Sequence, residues 1–185
     1  MQAIDALLSR QSARTLSEPG PDAAALELIF ASAVRAPDHG RLRPWRFVLI
    51  AGAARARLAE LLAAHLARGS APASAESLER ERHKAYRAPL IVAVAAHVNP
   101  AVKIPGVEQL LSAGAAAHAM MLAAAALGFG AMWKTGGPAY DPEVRAGLGL
   151  EPEDAIVGFL YLGTEAQPAA LAPRREWRDL VRVLE

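Results

Sequence analysis

The chain alternates between segments in which apolar residues recur every three to four positions and short runs in which they are continuous. The first pattern predicts amphipathic helices and the second predicts β-strands. Helices are predicted over 4–9, 22–36, 53–67, 76–86, 106–128 and 141–149, and strands over 45–50, 89–96, 129–133 and 156–162. The charged segment 76–86 is predicted to be either an exposed helix or a lid. The elements interleave without a strict βαβ period and without internal repeats. We therefore expect an α+β (mixed α/β) fold with three layers around one sheet.

Short polar residues and glycines mark the ends of these helices. Asp22, Ser74 and Asp141 precede helical patterns and are predicted to be N-caps, with Pro142 at the first helical position. Gly128 follows the last residue of the longest pattern and is predicted to end that helix in a left-handed conformation.

One segment is long and almost uncharged. Residues 110–127 are mostly alanine and approach the length of a membrane-spanning helix. Ser112, Gly114 and His118 interrupt the run, and no Trp/Tyr belt or Lys/Arg flank brackets it. A helix that is apolar all round also suits the centre of a globular domain. We interpret it as a buried core helix with an interior His118, and we expect no membrane partner.

Length and alanine content favour one compact unit that buries further surface against a partner. The 185 residues fit a single domain over 1–185, with a core over 1–163 and a C-terminal extension over 164–185. The apolar fraction is 53%, and much of it is alanine, so each side chain buries little area. The tail becomes apolar again at Trp177 and Leu180. We therefore expect an obligate homodimer.

Charge and residue usage exclude several classes of function. Twenty Lys+Arg face 19 Asp+Glu, so the chain has no basic field for nucleic acid. It has no cysteine, which excludes disulfides, thiolate metal sites and a cysteine nucleophile. Its five histidines show no i,i+3 or i,i+4 pairing, so no metal site is expected. The first residues show no charged segment followed by an apolar one, which predicts a cytoplasmic protein.

Motifs for nucleophilic catalysis and for common nucleotide sites do not occur either. The sequence has no Gly-x-Ser-x-Gly turn and no Gly-Lys-Ser/Thr phosphate loop, and residues 128–130 lack the third glycine of a dinucleotide fingerprint. Anion recognition remains, because cationic and hydroxyl side chains are concentrated in three segments. These are Arg10, Ser12 and Arg14, then Arg35, His39, Arg41 and Arg43, and finally Trp133 to Gly137 with Lys134. Such groups suit a phosphate ester that carries a flat ring.

Each of these residues also has a plainer interpretation. Arg10 and Arg14 would equally complement the dipole at the end of the first helix. Lys134 would equally be a solvated strand end, and Trp133 would equally belong to the core. His39 on its own is more typical of a loop cap than of a ligand.

Four motifs follow one another between residues 3 and 163. They are Arg10-x-Ser12-x-Arg14, the stretch 35–47 (RAPDHGRLRPWRF), the stretch 128–136 (GFGAMWKTG) and the stretch 157–163 (VGFLYLG). In this order and spacing they resemble the flavin (FMN)-dependent nitroreductase family, most closely its minimal, short bacterial branch. Where commoner members have Ser or Asn and then Gln before Pro-Trp, this chain has Asp38, His39 and Arg43.

The resemblance implies a nitroreductase-like three-layer fold, with a central, mostly antiparallel sheet flanked by helices. It also implies an intertwined homodimer with two FMN sites at the interface. The residues that it implies for binding FMN are Arg10, Gln11, Ser12, Arg14, Arg35, His39, Trp133, Lys134 and Thr135.

The same resemblance implies which part of the cofactor each of these residues contacts. Arg10, Gln11 and Ser12 would hold the phosphate and ribityl chain, and Arg14 would lie near the pyrimidine edge of the flavin. Either Arg35 or His39 would reach the flavin of the partner. The segment 133–135 would line the cofactor, with a backbone N–H near residues 135–136 facing the reactive flavin nitrogen.

The activity implied is that of an NAD(P)H-dependent oxidoreductase. Hydride would pass in a ping-pong sequence from NADH or NADPH through FMN to a nitroaromatic, a quinone or a similar acceptor. FMN carries this chemistry, so no catalytic side chain is required. Two alternatives stay open, namely a non-catalytic FMN-binding or storage protein and a flavin-dependent dehydrogenase of an unknown metabolite.

Overall fold

A computed structural model describes residues 2–165, 167, 170–171, 173 and 176–184. Its helices are α1 (Ala3–Ser9), α2 (Ala23–Ala33), α3 (Ala54–Ala67), α4 (Ala75–His83), α5 (Gly106–Ala126) and α6 (Pro142–Gly147). Its strands are β1 (Trp45–Ala51), β2 (Leu90–His97), β3 (Gly130–Lys134) and β4 (Asp154–Gly163). Short 3-10 turns lie at His39–Arg41, Lys84–Tyr86, Gly137–Tyr140 and Trp177–Leu180.

The four strands form one antiparallel sheet in the order β1-β2-β4-β3. The register places Val48 opposite Ala93 and Met132 opposite Tyr161. One irregularity interrupts the pairing of β2 with β4, between Val94 and Ala95. The predicted central antiparallel sheet is therefore confirmed, and β1 and β3 are its two edges.

Both faces of the sheet are covered, because β2 sends alternate apolar side chains to opposite sides. Val92 and Val94 pack with α2 and α5, while Ile91 and Ala93 pack with α3 and α6. A strand that is buried on both faces reads as a continuous apolar run, which is how 89–96 appears in the sequence. The three-layer arrangement predicted from the sequence is confirmed.

Several predicted helix ends are confirmed, whereas α2 ends at Ala33 and α4 at His83, each three residues before its predicted limit. The Asp22 carboxylate accepts the Ala25 N–H at 2.8 Å, and the Ser74 hydroxyl accepts the Ser77 N–H at 3.1 Å. Gly128 has φ 87°, the left-handed conformation that ends α5. The strands begin and end within two residues of their predicted limits.

The central helix α5 differs from its prediction in one respect. By length and composition alone it is long and apolar enough to cross a membrane. One of its faces packs in the core through Ala113, Ala117 and Met120. The other face is exposed, with Leu111 67% accessible. His118 lies on that exposed face and is not an interior histidine, because it falls off the helical repeat that faces the sheet.

The C-terminal extension is only partly described. Thr164 pairs with Ser17 through two backbone hydrogen bonds of 2.9 Å, which joins the end of β4 to the segment after α1. Residues 166, 168, 169, 172, 174, 175 and 185, with residue 1 at the other terminus, lie outside the described residues. The assignment of 1–185 to one domain with an extension from 164 stays a prediction.

Candidate functional site

The segment after α1 runs along the open edge of β3. The Ala13 N–H donates to the Ala131 carbonyl at 2.9 Å, so residues 10–14 lie beside the start of the strand. A side chain on Gly130 would meet Leu16 at 2.7 Å and Ala13 at 3.2 Å, so glycine is what permits this close approach. The local sequence therefore fixes the cationic segment against the sheet.

A cavity of about 390 Å³ lies at this junction of α1, the end of α5 and β3. Arg10 and Gln11, which are both half-buried, line it together with Gly128 and Gly130. Ser12 and Arg14 follow them on the exposed side of the same segment. The structure thus brings the predicted ligands Arg10 and Gln11 to this cavity, and Ser12 and Arg14 lie outside its lining.

A second cavity, of about 240 Å³, lies at the other end of β3. Lys134 and Thr135 line it, and the chain continues through Gly136 (φ 99°) and Gly137. Three residues of extended strand separate Ala131 from Lys134, which is about 10 Å. Both ends of one edge strand therefore carry cations beside backbone that side chains do not shield.

Two further cations line this second cavity and were missed by the sequence interpretation. Lys84 and Arg87 come from the turn after α4, which the sequence showed only as an exposed, charged segment. Lys84 also forms an ion pair with Glu81. Lys84 and Lys134 are fifty residues apart in the sequence and share no motif, so no local pattern indicated that they would line one cavity.

A polar network of His65, Arg68 and Asp141 packs against the 136–137 turn. His65 Nδ1 lies 2.6 Å from the Asp141 carboxylate, which also accepts Arg68 Nη2 at 2.6 Å. A Cβ on Gly137 would lie 2.5 Å from His65 Nε2, so the imidazole touches the glycine backbone. The imidazole of His65 therefore packs against the 136–137 turn and holds it in position.

Asp141 is the anchor of this network. Its side chain is 10% exposed and caps α6 by accepting the Glu143 N–H at 2.8 Å. Burial raises the pKa of Asp141, but the hydrogen bonds from His65 and Arg68 outweigh burial and hold that pKa well below its usual range. The carboxylate stays ionised at neutral pH.

Trp133 and Lys134 lie on opposite faces of the sheet. Trp133 is half-buried on the α5 side and approaches Gly158 so closely that a side chain there would overlap the indole. Lys134 faces α3, beside Leu62. The structure therefore does not bring these two predicted ligands to one side of β3.

The loop between α2 and β1 holds Arg35 and His39 away from both β3 cavities. His39 Nδ1 lies 2.6 Å from Glu108 of α5. The Trp45 indole N–H donates to Ser112 Oγ at 3.0 Å, and that hydroxyl donates to the Pro37 carbonyl at 2.7 Å. Sequence reasoning missed the roles of Glu108 and Ser112, because each acts across a long separation in the chain.

One group among the described residues has the donor atoms and spacing to hold a metal ion. His97, Glu151 and Asp154 place one ligand atom each within 4.8 Å of one another. The buried Asp154 carboxylate already accepts His97 Nδ1 at 2.9 Å and the Glu151 N–H at 2.8 Å. These contacts hold the turn before β4. The expectation of no metal site stays a prediction.

Comparison with known proteins decides the family. The model of the Nitroreductase family matches residues 7–164, which includes the end of α1, the segment beside β3 and the whole sheet. The chain belongs to the Nitroreductase family. Both the expected family and the expected fold are confirmed.

Curated relatives of this family member are bacterial. A protein of Escherichia coli strain K12, provisionally named NAD(P)H nitroreductase YdjA, is 41% identical over 165 residues, covering 89% of this chain and 88% of its own. A Haemophilus influenzae protein with the same provisional NAD(P)H nitroreductase name is 35% identical over 170 residues, or 91% of each chain.

Solved structures show the same fold at lower identity. A nitroreductase-like family protein from Bacillus cereus superposes with a TM-score of 0.86 at 23% identity, over 100% of this chain and 97% of its own. A nitroreductase with bound FMN from Bacteroides fragilis gives a TM-score of 0.75 at 23% identity, over 100% of both chains. The FMN- and NADPH-dependent nitroreductase NfnB from a Sphingopyxis strain gives a TM-score of 0.80 at 20% identity, also over 100% of both chains.

Proposed function

We propose that this family member is an NAD(P)H-dependent oxidoreductase that uses FMN and works by a ping-pong sequence on nitroaromatic, quinone or similar acceptors. The observation that carries the proposal is the edge of β3, where cationic segments 10–14 and 134–137 lie at the two ends of one strand. The FMN-bound nitroreductase of the same fold and the names of the curated relatives support it.

The residues at β3 fit the chemistry of FMN. A phosphate monoester needs charge-assisted donors, and Arg10 supplies a guanidinium at a half-buried position. A ribityl chain needs amide and hydroxyl partners, and Gln11 and Ser12 follow directly. A flavin ring needs backbone that can approach closely, and the Gly136–Gly137 turn has no side chain to prevent it.

Each part of the site then has a defined task. Arg10, Gln11 and Ser12 hold the phosphate and the ribityl chain, and Arg14 places positive charge at the pyrimidine edge. The chemistry that bound FMN would supply is acceptance of a hydride from the nicotinamide donor and transfer of electrons to the acceptor. Positive charge beside the ring favours its anionic reduced form, so the protein tunes the reaction electrostatically.

At the far end of β3, the Lys134 ammonium and the backbone of Thr135 line the ring. His65 supports the turn that presents the 135–136 N–H groups, because it packs under Gly137. Trp133 lines the cofactor from the α5 side of the sheet. No described side chain is needed as a general acid or base, since the hydride transfer takes place on the cofactor.

A homodimer completes the proposal. Arg35 and His39 lie away from the β3 cavities of their own chain, so they reach a flavin only if it belongs to a partner. The exposed face of α5, with Val107, Leu110 and Leu111, offers an apolar surface for that partner. The exposed Trp177 of the tail adds to it. A cytoplasmic location stays a prediction.

Anaerobic spectroscopy of the purified protein tests this function. The expected cofactor, released and identified by mass spectrometry, is FMN. Its absorbance should bleach on addition of NADH or NADPH and return on addition of a quinone or nitroaromatic acceptor. Bound FMN that neither donor bleaches would instead indicate a storage protein. FMN bleached only by a different metabolite would indicate a dehydrogenase.

A further inference from the structure

A cavity of about 760 Å³ lies under the loop between α2 and β1, and of its lining residues the proposed function uses Arg35 alone. We refer to it as the arginine pocket. Its rim carries Arg35, Arg41 and Arg43, and its floor is formed by Trp45 and Phe47. It lies at the β1 edge of the sheet, three strand spacings or about 14 Å from β3.

The positive charge of the arginine pocket is not neutralised within the described part of the chain. None of its three guanidinium groups forms an ion pair or donates a hydrogen bond to a described residue. Asp38 is the only carboxylate among the described lining residues. Its oxygens accept the N–H groups of Leu42 and Arg43 at 3.2 and 2.7 Å, so it is committed to holding the loop. A cluster of exposed guanidinium groups in this state recruits an anion.

The backbone of the loop is held in an unfavourable conformation that aims these side chains. Arg41 has φ 55° and Arg43 has φ 50°, both in the left-handed region that residues with a Cβ rarely adopt. The Asp38 carboxylate and the Ser112 hydroxyl hold the two ends of the loop. Strain of this kind persists where the surroundings impose it, and it is concentrated at ligand sites.

The floor of the pocket suits a flat ring. Trp45 and Phe47 are two residues apart on β1, so their side chains point to the same face. Both are half-buried, and Phe47 is fixed by an edge-to-face contact with Phe30 at 5.6 Å between ring centroids. A rim of guanidinium groups above an aromatic floor selects a ligand in which a phosphate is joined to a planar base.

We propose that the arginine pocket binds the adenosine 2′-phosphate of NADPH through Arg41 and Arg43, and so makes the protein prefer NADPH to NADH. The inference rests on the proposed function, in which a nicotinamide donor reduces FMN. FMN itself is assigned to β3, and the loop of one protomer is directed at the partner's flavin in the proposed dimer. The donor therefore has its nicotinamide at the flavin and its other end at this loop.

Calorimetry with adenosine fragments tests the pocket without turnover. The probes are 2′,5′-ADP and 5′-AMP, titrated into the FMN-loaded protein at one fixed ionic strength. The wild type should bind 2′,5′-ADP about ten- to a hundredfold more tightly than 5′-AMP, as expected of charge-assisted bonds to one added phosphate. The double variant Arg41→Asn/Arg43→Asn should lose this difference. Asparagine is chosen because it tolerates positive φ, so the loop keeps its shape.

Arg57→Gln is the matched control. Arg57 is an exposed arginine of α3, on the other face of the sheet, so its replacement removes one positive charge without touching the pocket. This variant should retain the preference for 2′,5′-ADP. In donor kinetics, the double variant should raise KM for NADPH about ten- to a hundredfold and leave KM for NADH unchanged.

Three outcomes would overturn the inference. They are equal binding of both fragments by the wild type, an equal loss in Arg57→Gln, and a fall in FMN affinity in the double variant, which would assign the pocket to the flavin. Failure of the proposed function is distinguishable from these. In that case neither nicotinamide reduces the protein, while the fragment titration still reports on the pocket.

Discussion

Removal of the Asp141 carboxylate should destabilise the fold beside the 136–137 turn by about 3 kcal/mol. Asp141→Ala deletes the N-cap of α6, which is worth about 1 kcal/mol. It also removes two charge-assisted hydrogen bonds, from His65 and Arg68, each worth about 1 kcal/mol because the donors are 30% and 37% exposed. Asp141→Asn keeps an acceptor for the capped N–H and should cost about half as much.

Urea unfolding at one fixed protein concentration measures these costs. For a chain of this size, about 3 kcal/mol lowers the midpoint by roughly 1 M or more at constant slope. Glu143→Ala is the control, because it also removes a carboxylate bound by Arg68, at 3.1 Å, but one that is 68% exposed. It should cost less than about 0.5 kcal/mol. Equal midpoints for Asp141→Ala and Glu143→Ala would refute the assignment of Asp141 as the anchor.

The pH dependence of stability has a defined sign at this carboxyl. Its pKa is lower in the folded protein than in the unfolded chain, so the unfolded chain takes up the proton first as the pH falls. The stabilisation is therefore complete above about pH 4 and is lost as the pH falls further. Wild type should lose stability more steeply than Asp141→Asn in that range, and parallel curves would contradict the prediction.

Three further substitutions test other parts of the structure. Gly137→Ala places a methyl group 2.5 Å from His65 Nε2 and should cost about 1–3 kcal/mol in urea unfolding, together with weaker FMN binding in a fluorescence titration. Ser112→Ala leaves an indole N–H and a carbonyl without their shared hydroxyl and should cost about 1–3 kcal/mol in the same unfolding assay. Leu111→Glu should convert the proposed dimer to a 19.5 kDa monomer in light scattering. The control Leu28→Glu, at an exposed position on α2, should leave the dimer intact. A wild-type monomer that still carries flavin would contradict the site shared between protomers.

Local patterns were enough to predict most of the fold. The run 89–96 predicted a strand buried on both faces, and the caps at Asp22 and Ser74 predicted helix starts to within a residue. These features depend on neighbours in the chain. The exposure of His118 was not predictable in this way, because an alanine-rich helix shows little contrast between its faces.

The candidate site was predictable only where it forms a compact motif. Residues 10–14 stand together in the sequence, so they were predicted as one FMN-binding segment, and the structure brings Arg10 and Gln11 to one cavity. Lys84, Arg87 and Lys134 meet only because the turn after α4 folds over the end of β3. The left-handed backbone of Arg41 and Arg43 is likewise set by Asp38 and by packing, and arginine itself does not favour it.

Whether the edge of β3 is the FMN site is tested most directly by comparing two arginine variants in a fluorescence titration of FMN into apo-protein. Arg10 lines the β3 cavity, whereas Arg46 is exposed on β1 and, among the described residues, donates to the carbonyls of Arg43 and Trp45. Arg10→Ala should weaken FMN binding about ten- to a hundredfold, and Arg46→Ala should change it by less than about fivefold. Equal affinities in the two variants, or weaker binding in Arg46→Ala, would contradict the site.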